Sequence, residues 1–153
     1  MDLETKVRGI FPAYWEADEA LYRADRAARA RAQLAGSVAH IQPAIREARL
    51  ELDRRLGYAI AAACLENVDG QRLGAGEAVE EVWREYELLV QTLERERLEA
   101  EDTMNSPGGE GRTTEHQRAM LLHFGAVAAA EPLKGLLAAL LLRWVDAPDP
   151  PRH

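Results

Sequence analysis

Apolar residues along this chain recur at every third or fourth position and almost never alternate with polar ones. That period keeps one side of an α-helix dry, and the missing alternation leaves no case for a half-buried strand. Four helical stretches follow. The first spans residues 12–35, with Pro12 in the opening turn, where its missing N–H costs nothing, and Gly36 and Ser37 as the stop. The second spans residues 42 or 43 to 66. It opens at Pro43 and carries one stripe of Ile45, Ala48, Leu52, Leu56, Ala59 and Ala63. Residues 67–76, NVDGQRLGAG, read as a loop by their Asn, Asp and glycines. The third helix spans 76–104. NSPGGEGR at 105–112 is the clearest break in the chain and reads as mobile. The fourth opens on Thr114, with Gln117 three residues on as the second half of a capping box, and runs toward Val145. Pro132 lies inside it, so it is either two helices or one kinked helix.

The expected fold is therefore all-α: a four-helix bundle, or five helices if the last breaks at Pro132. Residues 1–145 form a single domain with a flexible 105–112 loop, and the proline-rich 146–153 is a tail outside it. At 153 residues the chain is long enough for one core without disulfides or metal.

The third helix poses the main chemical question. Val79, Val82, Tyr86, Leu89 and Leu93 fall at the a and d positions of a heptad, a seam that fades at Glu96 and Ala100. Nine of the twenty-three residues at 80–102 are also Asp or Glu. Residues 66–115 have five basic and fourteen acidic side chains, −9, whereas 1–65 and 116–153 are each +1, which together give the net −7. Glu77, Glu81 and Glu85 form a ladder at four-residue steps that is able in principle to face a metal. No Glu-x-x-His, His-x-x-x-His or Cys-x-x-Cys accompanies it, so the expected reading is a solvated, salt-laced face with no metal and no cofactor.

The last helix carries the other unusual pattern. In AMLLHFGAVAAAEPLKGLLAALLLRW, 119–144, only His123 is polar between Ala119 and Ala130, and nothing is between Gly135 and Leu142. A helix on the surface of a monomer normally keeps a charged face. Membrane insertion is disfavoured by Glu131, Pro132 and Lys134 in mid-run, which leave two segments too short to span a bilayer. The expected role is a central helix whose far end is shared with a partner, through Met120, Phe124, Val127, Leu133, Leu136, Leu137, Leu140, Leu141 and Trp144.

Other candidate chemistry is sparse. YRADRAARARAQ, 22–33, holds Arg23, Arg26, Arg29 and Arg31 against Asp25 alone. Its expected use is to pair with the acidic third helix. The acidic total argues against nucleic acid as a partner, save for a local contact at Arg23, Arg26 and Arg29. His116 and His123 share a face as hydrogen-bonded core or interface residues. Cys64, in AAACL, reads as a quiet core thiol. GQRLGAGE at 70–77 lacks the Lys-Ser/Thr of a phosphate loop. The single cysteine and the absence of an export signal suggest a cytoplasmic setting, or a particle assembled there.

Two families share short stretches with the chain. EEVWREYELL, with Glu80-Glu81 and the later Glu99-x-x-Asp102, resembles the MazG-type nucleotide pyrophosphohydrolases, helical bundles that hold magnesium with Glu-Glu-x-x-Glu and Glu-x-x-Asp. Arg84 stands where the third of those acids belongs. IQPAIREARLELDRRLGYAI, 41–60, resembles the long helix of the adaptor proteins that join head and tail in tailed phages, small helical proteins that assemble as rings. The expected function is non-enzymatic: a helical structural subunit of a larger assembly, homo-oligomeric or bound to a protein partner, adaptor-like. A magnesium-dependent pyrophosphohydrolase and a small helical subunit of an RNA-guided defence complex are the alternatives.

Overall fold

A computed structural model describes residues 2–34, 43–68 and 75–146, with side chains for all of these except 67, 68, 75 and 143–146. Five α-helices follow in order: α1 Leu3–Leu34, α2 Pro43–Val68, α3 Ala75–Asn105, α4 Thr113–Ala128 and α5 Ala130–Asp146. There is no strand among the described residues, and the protein is an all-α bundle.

Helix α1 begins nine residues before the expected Pro12. Asp2 is its cap: the Asp2 carboxylate accepts a hydrogen bond from the Thr5 N–H at 2.7 Å, and hydrogen bonding to the Thr5 side chain first, and to that N–H second, holds the carboxyl below its usual range. Pro12 then sits inside the helix. Its missing N–H leaves the Arg8 carbonyl without an intrahelical donor, and because Pro12 is exposed, water can take that carbonyl up. Pro43 is the first residue of α2, as the sequence suggests.

The core is apolar throughout, with no polar or charged residue buried among those described. Val7, Leu56, Ile60, Cys64, Val82, Leu93 and Leu133 are its fully enclosed side chains. The α3 seam contributes as its spacing requires, with Val82, Tyr86, Leu89 and Leu93 all buried. The only described ion pair from α1 to α3 is Arg8 to Glu96, at 2.6 Å, and Arg8 also holds Glu4 at 2.9 Å.

Burial stops abruptly along the first two helices. No described residue of α1 beyond Trp15 is buried, and none of α2 before Leu56 is. Antiparallel contacts mark the register: the Tyr14 hydroxyl donates to the Arg55 carbonyl at 3.2 Å, and Arg49 bonds Asp18 at 3.0 Å. The second half of α1 and the first half of α2 therefore leave the bundle together as a two-helix arm. A groove of about 260 Å³ between them is lined by Leu21, Asp25, Arg29, Ile45, Arg49 and Asp53. Burial there raises the Asp53 pKa, against the pull of Arg49.

Glycines set the closest approach of α2 to the last two helices. A side chain at Gly125 would meet Leu56 Cδ2 at 2.5 Å, and one at Gly57 would meet the Ala128 backbone at 3.2 Å. Helices α4 and α5 are nearly one helix broken at Ala129. The Ala129 N–H reaches the carbonyls of Gly125 and Ala126, and Leu133 resumes the helical pattern by donating to Ala129 at 2.9 Å. The break precedes Pro132, which occupies the first turn of α5, where a proline does no harm. The Tyr86 hydroxyl donates to the carbonyl of Ala126 at 2.8 Å and lies 3.3 Å from that of Val127.

The 105–112 break is built as tight turns. Gly109 N–H donates to Ser106 at 2.9 Å, and Arg112 N–H to Gly109 at 3.1 Å, leading through a short 3₁₀ turn, Glu110–Arg112, into α4. Gly108 holds φ at 82°, which its missing Cβ permits. The capping box expected at Thr114 and Gln117 does not form. The helix begins one residue earlier with no side-chain cap, because the 3₁₀ turn already delivers the chain in helical geometry. The 146–153 tail lies outside the described residues, save Asp146 at the end of α5.

Candidate interaction surface

Helices α4 and α5 separate into two faces. Ala119, Leu122, Ala126, Leu133 and Leu137 point into the core. On the other side Phe124 is 60 % exposed and Leu142 67 %, with Val127 also exposed and Ala128, Gly135, Ala138 and Ala139 open between them. Of the residues expected at an interface, Phe124 and Val127 are free to contact a partner. Met120, Leu136, Leu140 and Leu141 are half-buried at its flanks. Leu133 and Leu137 belong to the core of the chain itself and are not available, a correction that follows from the half-turn between their stripe and the exposed one. The side chain of Trp144 lies outside those described. Leu142 was missed, although it sits at a seven-residue step from Gly135 on the outward face.

The stretch Glu110–Leu142 is long and apolar enough, by length and composition, to cross a membrane, and only 28 % of its most apolar window is buried in the chain. Its charged interruption is at the surface: Glu131 and Lys134 face each other there at 3.4 Å, both exposed.

The carboxylates of α3 do not converge. No group of three or more His, Cys, Asp or Glu residues that could hold a metal ion occurs among the described residues. Glu81 is held by Arg84 at 2.9 Å. The two halves of the MazG-like pattern, Glu80-Glu81 and Glu99/Asp102, lie on one continuous helix about 27 Å apart at ~1.5 Å per residue, too far to share an ion.

The Arg-rich run does not meet α3. Arg23, Arg26, Arg29 and Arg31 lie on the arm, beyond the buried part of α1. Arg29 bonds Asp25 of its own helix at 3.0 Å, and Arg26 lies 5.9 Å from the Tyr22 ring centre. The expected pairing of this run with the acidic helix is overturned: α1 folds against α2, and its arginines are carried away from α3.

A cleft of about 490 Å³ lies between the first half of α1, the end of α3 and the start of α4. Arg8, Phe11, Glu96, Glu99, Thr103, Glu115 and Arg118 line it. Its groups are largely engaged with each other. Arg8 is fixed by Glu96 and Glu4, Arg118 stacks on Trp15 at 4.9 Å, and the Thr103 hydroxyl donates to the Glu99 carbonyl at 2.9 Å. No histidine or cysteine lines it. His123 is half-buried beside Phe124, and burial, aided by Arg97 and opposed by Glu94, lowers its pKa. Cys64 is fully enclosed, and burial, with Glu85 nearby, pushes its thiol up to about 12.

No family model matches the chain, and no curated protein or solved structure is significantly similar to it.

Proposed function

We propose that this protein is a helical structural subunit that associates with further protein subunits through the outward face of α4 and α5. One observation carries the reading: the most apolar helical stretch among the described residues is less than a third buried by the chain itself. Phe124 and Val127 on α4, and Leu142 with Gly135, Ala138 and Ala139 on α5, form two exposed apolar patches on either side of the Glu131–Lys134 pair. Exposed apolar surface of that kind marks an interaction site. A ring-forming adaptor of the tailed-phage type is one assembly with this need, and homo-oligomerisation is the simplest form of it.

The test is light scattering behind a sizing column across protein concentrations, with and without magnesium, on the wild type and on Phe124→Glu and Leu142→Glu. The wild type forms a discrete oligomer indifferent to magnesium, and either glutamate reduces it to a folded monomer. A wild type that stays monomeric at high concentration, or that enters detergent micelles or vesicles in preference to a discrete oligomer, overturns the proposal.

A further inference from the structure

The arm and α3 each carry an outward helical face with a heptad pattern that its own chain leaves unused. On the arm, Ala20, Ala27 and Leu34 recur at seven-residue steps, with Ala30 between the last two. All four are exposed, and Leu34 is 91 % so. These are the a and d positions of a narrow seam, and the positions beside it are Arg26 and Arg31, with Arg23 on the seam itself. Neither Arg23 nor Arg31 has an ion pair among the described residues.

On α3, the side away from the core repeats the pattern with the opposite charge. Leu88, Gln91, Arg95 and Leu98 are spaced three, four and three residues apart, the rhythm of a second seam. Leu88 is 56 % exposed and Leu98 45 %, although neither belongs to the core stripe of that helix. The position preceding each a residue is Glu87, Glu94 and Glu101, and Glu99 occupies the other flank. Glu94 and Glu99 are exposed and without an ion pair among the described residues. Glu94 to Glu99 and Arg26 to Arg31 are each five residues apart, about 7.5 Å at ~1.5 Å per residue.

Flanking charges of opposite sign choose partner and register in paired helices. Small residues on one seam let the larger ones on the other approach closely. The two faces are on different parts of one chain and do not meet within it. We propose that the arm of one copy docks parallel to the outer face of α3 of a second copy, with Arg26 against Glu99 and Arg31 against Glu94. The occupant is a second copy because the complement of the arm is encoded in the same chain. Such a contact joins two different surfaces, so it propagates head to tail and closes into a ring or extends as a filament. The inference rests on the assembly reading above and names a second contact for it.

The experiment uses two charge-reversed full-length chains, Arg26→Glu/Arg31→Glu and Glu94→Lys/Glu99→Lys, with helical content checked by circular dichroism. By light scattering at low salt, each alone falls at least one oligomeric step below the wild type. An equimolar mixture returns to the wild-type size, because every arm then faces an α3 of opposite charge. Raising salt to roughly 0.5 M dissociates wild type and mixture alike, since screening within a few ångströms removes the pairing. Variants that keep the wild-type size alone, or a mixture that fails to recover it, overturn the proposal. So does tight binding of a labelled DNA or RNA duplex by the wild type, lost in the arm variant, without self-association. If Phe124→Glu abolishes assembly while both reversed chains still assemble, the apolar-face reading stands and this one falls.

Discussion

Replacing Gly125 by alanine tests the closest contact in the bundle. The residue is inside α4, where alanine is favoured over glycine by about 1 kcal/mol. A methyl group there meets Leu56 Cδ2 at 2.5 Å, Leu56 Cγ at 2.7 Å and Ile60 Cδ1 at 3.4 Å. Leu56 is 1 % exposed and cannot swing into solvent. It has to change rotamer inside a filled core, or α2 and α4 have to move apart, and overpacking of this kind costs about 1–3 kcal/mol. Gly9 provides the control, since it lies within α1 with nothing within 4 Å of the same methyl group. Gly9→Ala gains the helix preference alone, about 0.5–1 kcal/mol. Subtracting one variant from the other removes the preference and leaves the overpacking, ~1–3 kcal/mol. In a domain of this size that separates the two melting temperatures by about 2–4 °C for each kcal/mol. Thermal melts followed by circular dichroism read the difference, and assembly-dependent shifts are removed by working at low, matched protein concentration. Gly125→Ala melting at or above Gly9→Ala would refute the close packing of α2 on α4.

Tyr86→Phe removes the hydroxyl that satisfies the Ala126 carbonyl at the α4–α5 break, and lowers the urea midpoint by the equivalent of about 1–3 kcal/mol with an unchanged slope. Cys64 resists thiol reagents in the native protein. At pH 8 a thiol with a pKa near 8.5 is about a quarter thiolate, whereas one at about 12 is about one part in ten thousand, so labelling follows opening of the bundle and accelerates with denaturant. Rapid labelling without denaturant would contradict its enclosure. The lowered pKa of His123 means that the folded state binds fewer protons than the unfolded one below the ordinary value of 6.5. Stability is flat in pH above that value as far as this group is concerned, and declines as pH falls through 6.5 toward the folded pKa. His123→Gln removes that part of the slope in denaturation curves taken between pH 7 and pH 5, and an unaltered slope would show that burial does not govern the imidazole.

The helices of this fold were legible wherever one stripe meets one core. The α3 seam of Val82, Tyr86, Leu89 and Leu93 is buried as its spacing implies. The α2 stripe is legible only in part. Leu56 and Ala63 are enclosed, but Ala48, of the same period, is exposed, because the first half of α2 runs along the arm. Periodicity reports that a residue faces a neighbouring helix and not how many neighbours there are. The start of α1 was hidden by Pro12, a residue that opens helices and is also tolerated inside them at an exposed position, while the Asp2 cap and the Leu3–Val7 pair carry the true beginning. The apolar interface stripe was seen as one surface because α5 is apolar nearly all round. Only the placement of the neighbouring helices separates enclosed Leu133 and Leu137 from open Leu142. Charge segregation between helices was evident from composition, but its direction was not, since the pairing of α1 with α2 is a matter of topology.

Because α1 passes from the bundle into the arm without interruption, one helix serves two different thermodynamic units. Its amides up to about Trp15 are shielded by the core and exchange with solvent only when the whole bundle opens. Those from Asp18 onward depend on a single neighbouring helix and exchange through local fraying. Hydrogen exchange would therefore show a step in protection part-way along a continuous helix. A subunit docked on the arm would erase that step and leave the first half unchanged. The step itself becomes a gauge of assembly, readable residue by residue.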